Sequence, residues 1–138
     1  KARRFADLIK TLPDYELITE PELNILTYRY VPEFARKLLD EGGPALRDQA
    51  NAILNVITKS IQKTQRGLGR SFVSRTQLNP ERYERHAIIV FRVVLANPLT
   101  TMEILEGILE EQREIASMEP VQSEVSKLRA CGSGPVRD

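Results

Sequence analysis

The feature that most constrains this chain is its most apolar stretch, residues 87–96, which reads AIIVFRVVLA. Its length suits a β-strand, and Asn97-Pro98 ends it, because proline has no amide hydrogen for a ladder bond. Successive side chains of a strand alternate between two faces, and here both faces are apolar apart from Arg92. This pattern is typical of a central strand that is covered on both sides.

Arg92 is therefore a charge in a strand that is predicted to be buried. A guanidinium group in such a place must be paired or must open onto a cleft. One interpretation is a structural ion pair with a glutamate from a neighbouring strand or domain. The other is a planar, bidentate fork for an anionic ligand. The residues alone leave both interpretations open.

The segments before this strand alternate between helix and strand patterns. Four apolar residues at helical spacing predict a short helix before Pro13: Phe5, Leu8, Ile9 and Leu12. YELIT and LNILTYRYV are predicted to be strands separated by a turn at EPE. A helix is predicted over residues 33–41, ending at Gly42-Gly43-Pro44.

A long helix follows, which ends near Gly67 or Gly69, and its predicted face is Leu46, Ala50, Ile53, Leu54, Ile57 and Ile61. SFVSRTQL is predicted to be a strand and NPERYER a polar connector. Thr100 with Glu103 predicts a capping box ahead of a last long helix. That helix is predicted to bury Ile104, Leu105, Ile108, Leu109 and Ile115. Beyond Met118 the pattern fades, and we expect a short helical turn and a loose end.

This order of elements predicts an α+β fold, a mainly antiparallel sheet of about 3–4 strands with helices packed on it. We expect one domain over residues 1–118 and a tail over residues 119–138. The chain begins at Lys1 rather than methionine, which is consistent with a piece of a longer protein.

Composition narrows the possible partners. The net charge is +1, so neither nucleic acid nor an anionic membrane is expected to bind. No run approaches the roughly 20 apolar residues of a membrane span. Cys131 is the only cysteine, which excludes a disulfide framework within the chain and favours a cytoplasmic location.

Signatures of catalysis are mostly missing. One histidine, His86, and one distant cysteine predict no metal site at ordinary ligand spacing. A surface or capping role is expected for His86, and sheet packing with hydroxyls that reach water for Tyr28 and Tyr30. The glutamates of the last helix are expected to form its solvated face.

Three segments resemble a known family. YELITEPELNILTYRYVP, SFVSRTQL and IVFRVVLANPLTTMEILEGILEEQREIA are similar to the group II pyridoxal-phosphate-dependent amino-acid decarboxylases, the glutamate-decarboxylase-like family. The bacterial pyridoxal-dependent aspartate 1-decarboxylase subgroup is the nearest likeness. The resemblance implies the small C-terminal domain of a fold-type-I enzyme, whose sheet packs on its own large cofactor-binding domain. It also implies that Arg92 binds a carboxylate of the substrate.

The chain departs from the family in one respect. His86 is followed by Ala87, so the His-Lys pair that carries the cofactor in the family is missing. We therefore expect no catalytic, cofactor-binding or metal-binding residue in this chain and no activity from the chain alone. The resemblance implies pyridoxal 5'-phosphate and a homodimer in the parent protein.

The substrate implied is L-aspartate, giving β-alanine and CO2, or alternatively L-glutamate, giving γ-aminobutyrate. A stand-alone α+β module for ligand binding or dimerisation is the alternative of another class.

Overall fold

A computed structural model describes residues 1–69 and 73–132. Its helices are α1 (Ala2–Thr11), α2 (Glu33–Glu41), α3 (Pro44–Gly67), α4 (Met102–Ala116) and α5 (Val121–Gly132). Its strands are β1 (Tyr15–Glu22), β2 (Ile25–Tyr30), β3 (Val73–Leu78) and β4 (Ile88–Val94). In the described part of the chain, no helix is long and apolar enough to cross a membrane.

The four strands form one antiparallel sheet in the order β1-β2-β4-β3. β4 lies between β2 and β3, which confirms that the most apolar stretch is a central strand. The predicted α+β fold is confirmed as well. Ser71 and Phe72 of the predicted third strand lie outside the described residues.

One face of the sheet, here called the inner face, packs against helices through aromatic rings. Tyr28 lies at its centre, with the ring of Phe5 from α1 at 5.8 Å and the ring of Phe91 from β4 at 5.3 Å. The hydroxyl of Tyr15 donates a hydrogen bond to the carbonyl oxygen of Leu109 on α4 at 2.8 Å. Rings of this size bury a large apolar area, so they supply much of the driving force for packing.

Two glutamines complete the hydrogen bonds of this core. The hydroxyls of Tyr15 and Tyr28 donate to Gln112 Oε1 at 3.2 and 3.1 Å, and Gln112 Nε2 donates to Gln65 Oε1 at 3.0 Å. The expectation that the Tyr28 hydroxyl reaches water is wrong, because Tyr28 is fully buried and bonds to Gln112 instead. Burial raises the pKa of Tyr28 far above its ordinary value.

The turn between β1 and β2 lies at Leu23 and Asn24, not at the preceding EPE, which belongs to β1. Both turn residues have positive φ, 52° and 68°. Two consecutive left-handed residues are typical of the tight hairpin turn whose twist matches that of the strands. Pro21 had suggested that the strand ends before this point. A strand can nevertheless continue through proline at the edge of a sheet, and β1 is an edge strand.

Helix α4 covers the segment predicted for it, but its N-cap is the residue after Thr100. The N-cap is Thr101, whose Oγ1 accepts a hydrogen bond from the amide of Ile104, while Thr100 is buried. Ile104 is exposed, contrary to its predicted place on the buried face. The other four predicted apolar positions of α4 are buried: Leu105, Ile108, Leu109 and Ile115.

The region after Met118 contains a full helix rather than a short turn. Helix α5 buries Val121, Val125 and Leu128, and it packs against α3. The packed core therefore extends beyond the domain boundary expected at residue 118. Residues 133–138 lie outside the described part of the chain.

Candidate functional site

Arg92 lies on the sheet face opposite the aromatic core, here called the outer face. Its Cα partners are Thr27 on β2 and Ser74 on β3. Residues two apart on a strand share a face, so Arg29 and Val90 also belong to the outer face. The neighbours directly opposite Arg92 are thus two small hydroxyl residues, which leave room for a long side chain.

The Arg92 side chain is half-buried and unpaired. Within residues 1–69 and 73–132, its guanidinium makes no ion pair and no hydrogen bond. Ser74 contacts Arg92 through the backbone instead, since Ser74 Oγ donates to the Arg92 carbonyl oxygen at 3.4 Å. The interpretation of Arg92 as half of an internal ion pair therefore finds no partner among the described residues. The expectation that both faces of β4 exclude water is also too strong, because Ser74 and Val94 are exposed.

The buried arginine of the outer face is Arg29, for which no role was predicted from the sequence. Its side chain is 0% exposed, and its Nε donates to Glu16 Oε1 at 2.8 Å. Glu16 stands opposite Arg29 in the register of β1 and β2. The signal in the sequence was present, because an acidic and a basic residue occur in strands that pair as a hairpin.

Glu16 is held by two further groups from the connection between β3 and β4. Its Oε2 accepts hydrogen bonds from Arg82 Nη1 at 2.6 Å and from the Tyr83 hydroxyl at 2.5 Å. Arg82 also bonds to Asp40 on α2 at 2.6 Å. We call these five residues the Glu16 network: Glu16, Arg29, Asp40, Arg82 and Tyr83.

Tyr83 fastens the connection onto the outer face. Its side chain is buried, which corrects the expectation of a merely polar connector at NPERYER. The guanidinium carbons of Arg29 and Arg82 lie 5.2 and 5.0 Å from its ring centroid, a distance that allows cation–π attraction. Burial, and then the charge of Glu16, raise the pKa of Tyr83 well above its ordinary value, so the phenol stays a hydrogen-bond donor.

The two arginines of the outer face therefore differ in charge compensation. Arg92 lies opposite Thr27, which is two positions from Arg29 on β2. Arg92 and Arg29 are therefore diagonal neighbours, and such neighbours typically lie about 7–8 Å apart. Arg29 is neutralised by Glu16, whereas Arg92 has no counter-charge among the described residues. The difference lies in charge and not in free donors, since Nη1 and Nη2 of the buried Arg29 also lack a hydrogen-bond partner among the described residues.

The outer face continues toward exposed apolar side chains. Val94 lies two residues after Arg92 on β4, pairs with Ile25 on β2 and is 43% exposed. Leu23 in the adjoining hairpin is 88% exposed, and Leu99 in the segment after β4 is 79% exposed. Large exposed apolar residues near an unpaired charge favour a surface that another protein segment covers.

The side chains that could carry pyridoxal phosphate or transfer a proton beside it, lysine and histidine, are exposed. The family binds this cofactor through a lysine, and all six lysines of the chain are exposed: Lys1, Lys10, Lys37, Lys59, Lys63 and Lys127. His86 is exposed, and its Nδ1 lies 2.8 Å from Asp48 Oδ1.

Comparisons with known proteins agree with the resemblance found in the sequence. The chain is 58% identical over 117 residues to an aspartate 1-decarboxylase of Aliivibrio fischeri, a match that covers 85% of this chain and 21% of that protein. No protein-family model matches the chain. The chain thus spans about a fifth of the length of the curated relative it matches.

Solved structures with the same fold are also parts of larger chains. One is the glutamate decarboxylase domain of diaminobutyrate-pyruvate transaminase and L-2,4-diaminobutyrate decarboxylase from Vibrio parahaemolyticus, with a TM-score of 0.60, 18% identity and coverage of 84% of this chain and 20% of that one. Another is mouse cysteine sulfinic acid decarboxylase, with a TM-score of 0.63, 20% identity and coverage of 83% and 21%. These matches confirm that the fold is that of a small domain of the group II decarboxylases.

Proposed function

We propose that the chain is part of a pyridoxal-phosphate-dependent decarboxylase of acidic amino acids. The chain is 58% identical to part of an aspartate 1-decarboxylase, and its fold matches parts of other decarboxylase chains. The reaction proposed for the whole protein converts L-aspartate to β-alanine and CO2. The 58% identity favours this substrate over L-glutamate, which would give γ-aminobutyrate. The whole protein is proposed to be a cytoplasmic homodimer.

Arg92 is proposed to bind a carboxylate of the substrate. The observation that carries this role is the unpaired guanidinium of Arg92 on a rigid central strand. A planar guanidinium can hold a carboxylate through two parallel hydrogen bonds, which fixes the orientation of the substrate as well as its position. Orientation matters because only a correctly aligned bond reacts readily.

The large domain of the same protein is proposed to cover the outer face. The exposed side chains of Val94 on this face and of Leu23 in the adjoining hairpin support this arrangement. Bound pyridoxal phosphate, held by that domain, would accept the electron pair left behind when CO2 departs. The contribution of this chain is confined to binding and orienting the substrate.

Replacement of Arg92 in the full-length protein tests the assignment. Arg92→Ala should lower kcat/KM for L-aspartate about 100-fold, because a charge-assisted hydrogen bond is worth roughly 1.5–3 kcal/mol. Arg75→Ala is the matched control, since Arg75 lies on the neighbouring strand β3 but on the opposite face and is exposed. It should leave kcat/KM within about twofold, less than half a kcal/mol. An Arg92→Ala enzyme with normal kcat/KM would refute the role.

The stand-alone module makes a different prediction. If the 138-residue chain is a ligand-binding domain by itself, it should bind L-aspartate without a cofactor, and calorimetric titration would detect this. The decarboxylase proposal predicts no such binding to the isolated chain. Kinetics of the full-length protein with L-aspartate and L-glutamate then decide between the two substrates.

A further inference from the structure

Three side chains with ligand atoms for metals meet at the surface, away from Arg92. They are Asp48 on α3 and Glu84 and His86 in the connection between β3 and β4, and their ligand atoms all lie within 4.8 Å of one another. We propose that these three residues, here called the Asp48 cluster, bind a divalent transition-metal ion, for which Zn²⁺ is the best match. This site is independent of the proposed decarboxylase function.

The donor set matches zinc in kind and in spacing. One imidazole and two carboxylates suit Zn²⁺, whereas Mg²⁺ and Ca²⁺ prefer oxygen ligands alone. With bonds of about 2.1 Å, two ligands of a tetrahedral zinc ion lie about 3.4 Å apart. The Nδ1 of His86 and Oδ1 of Asp48 are already 2.8 Å apart, and small rotations of exposed carboxylates would adjust the remaining distances.

The charges of the cluster also favour a cation. In the described part of the chain, Glu84 has no ion pair, and the ion-pair partner of Asp48 is His86. The adjacent cation, Arg85, is engaged by Glu81 at 2.9 Å. The carboxylates of Asp48 and Glu84 therefore lie close together, and a divalent ion would relieve their repulsion.

The cluster is open to solvent, so an ion can enter and water can complete its coordination. The side chains of His86 and Asp48 are 53% and 41% exposed. The backbone at Glu84 and Arg85 has positive φ, 58° and 64°, which is uncommon outside glycine. This bend brings the connection back toward α3, where Asp48 lies.

A bound ion would link α3 to the connection that carries Tyr83 and leads into β4. Such a link stabilises the folded chain whenever the unfolded chain binds the ion less tightly. Local spacing in the sequence predicted no metal site, because His86 and Asp48 are 38 positions apart and meet only in the folded chain. The present proposal replaces that prediction.

Isothermal titration of the 138-residue chain with Zn²⁺ tests the site. The chain should carry Cys131→Ser, because a thiol also binds zinc. We expect one ion per chain and a higher midpoint of thermal unfolding with zinc. His86→Gln and Asp48→Asn should each weaken binding about tenfold or more, since even groups that only orient ligands are worth 10–100-fold.

Glu106→Gln is the matched control, because Glu106 is an exposed carboxylate on α4 and lies outside the cluster. It should leave the affinity unchanged. Circular dichroism checks that each variant is folded, and if one is not, the other variant decides. The proposal is overturned if zinc does not bind saturably, if both folded variants bind zinc as the parent does, or if Mg²⁺ competes equally.

Discussion

Arg29 and Arg92 share one face of one sheet but have opposite surroundings. Arg29 is fully buried and bonded to Glu16, and Tyr83 covers it. Arg92 is half-buried between Thr27 and Ser74 and lacks a counter-charge among the described residues. A buried charge without a partner is costly, so the buried arginine is the paired one. The carboxylate-binding role is proposed for the arginine without a counter-charge.

This contrast assigns different tasks to the two ends of the outer face. The Glu16 network ties four parts of the chain together: β1, β2, α2 and the connection before β4. Its charges balance one another, since two carboxylates face two guanidinium groups. The end at Arg92 has no such network, and exposed apolar residues lie beside it. The end with the Glu16 network stabilises the fold. The end at Arg92 is where a carboxylate of the substrate is proposed to bind.

The largest effect on this contrast is expected from Glu16→Gln. The change removes the counter-charge of Arg29, and breaking a buried ion pair from one side costs about 3–5 kcal/mol of unfolding free energy. Urea denaturation of the chain and the variant measures the difference. Glu20→Gln is the control, since Glu20 is exposed on the same strand, and it should change stability far less. A Glu16→Gln variant as stable as the control would break the comparison.

High pH is expected to have the next largest effect, through tyrosines on the inner face. Burial raises the pKa of Tyr15 and Tyr28 above the unfolded value of about 10. Their contribution to stability is complete below pH ~10 and is lost as the pH rises toward the folded pKa. Each should therefore cost up to about 1.4 kcal/mol per pH unit above that point.

Urea denaturation at several pH values between about 9 and 11 measures this slope. Tyr28→Phe removes one of the titrating groups, so its unfolding free energy should fall less steeply with pH. An unchanged slope would show that the Tyr28 phenol ionises equally in both states, contrary to its burial.

The smallest effect is expected from Arg92→Ala on the stability of the chain. Because the guanidinium has no partner among the described residues, its removal should change the unfolding free energy by less than about 1 kcal/mol. Urea denaturation alongside Glu16→Gln makes the comparison direct. A loss of 3 kcal/mol or more, the cost of breaking a buried ion pair, would reveal a structural role for Arg92 and would remove the basis of the proposed carboxylate site.

The local pattern of apolar residues predicted much of the fold. It located α2, most of α3 and the central strand β4, because each has a clear helical or strand period. It missed α5, which has few apolar residues. Its three buried positions, Val121, Val125 and Leu128, are covered by the packing of α5 on α3, which the sequence does not show. It also misplaced the first hairpin turn, since Leu23 is not a residue that usually accepts positive φ.

The candidate site was predicted in part. A charge within an apolar strand identified Arg92 as a residue that requires an explanation. The sequence could not show the partners of Glu16 outside its own hairpin, because Glu16 lies 66 positions from Arg82 and 67 from Tyr83. The network that neutralises Arg29 forms only when the connection before β4 folds onto the outer face.

The sequence by itself determined the α+β class, the central place of β4 and the presence of an arginine within it, because these follow from the periods of neighbouring residues. The tertiary structure alone decided which arginine is buried with a partner and which is left without one. It also decided that Asp48 meets His86. The physical reason is that charge compensation depends on distance in space, and residues far apart in sequence set that distance only once the chain is folded.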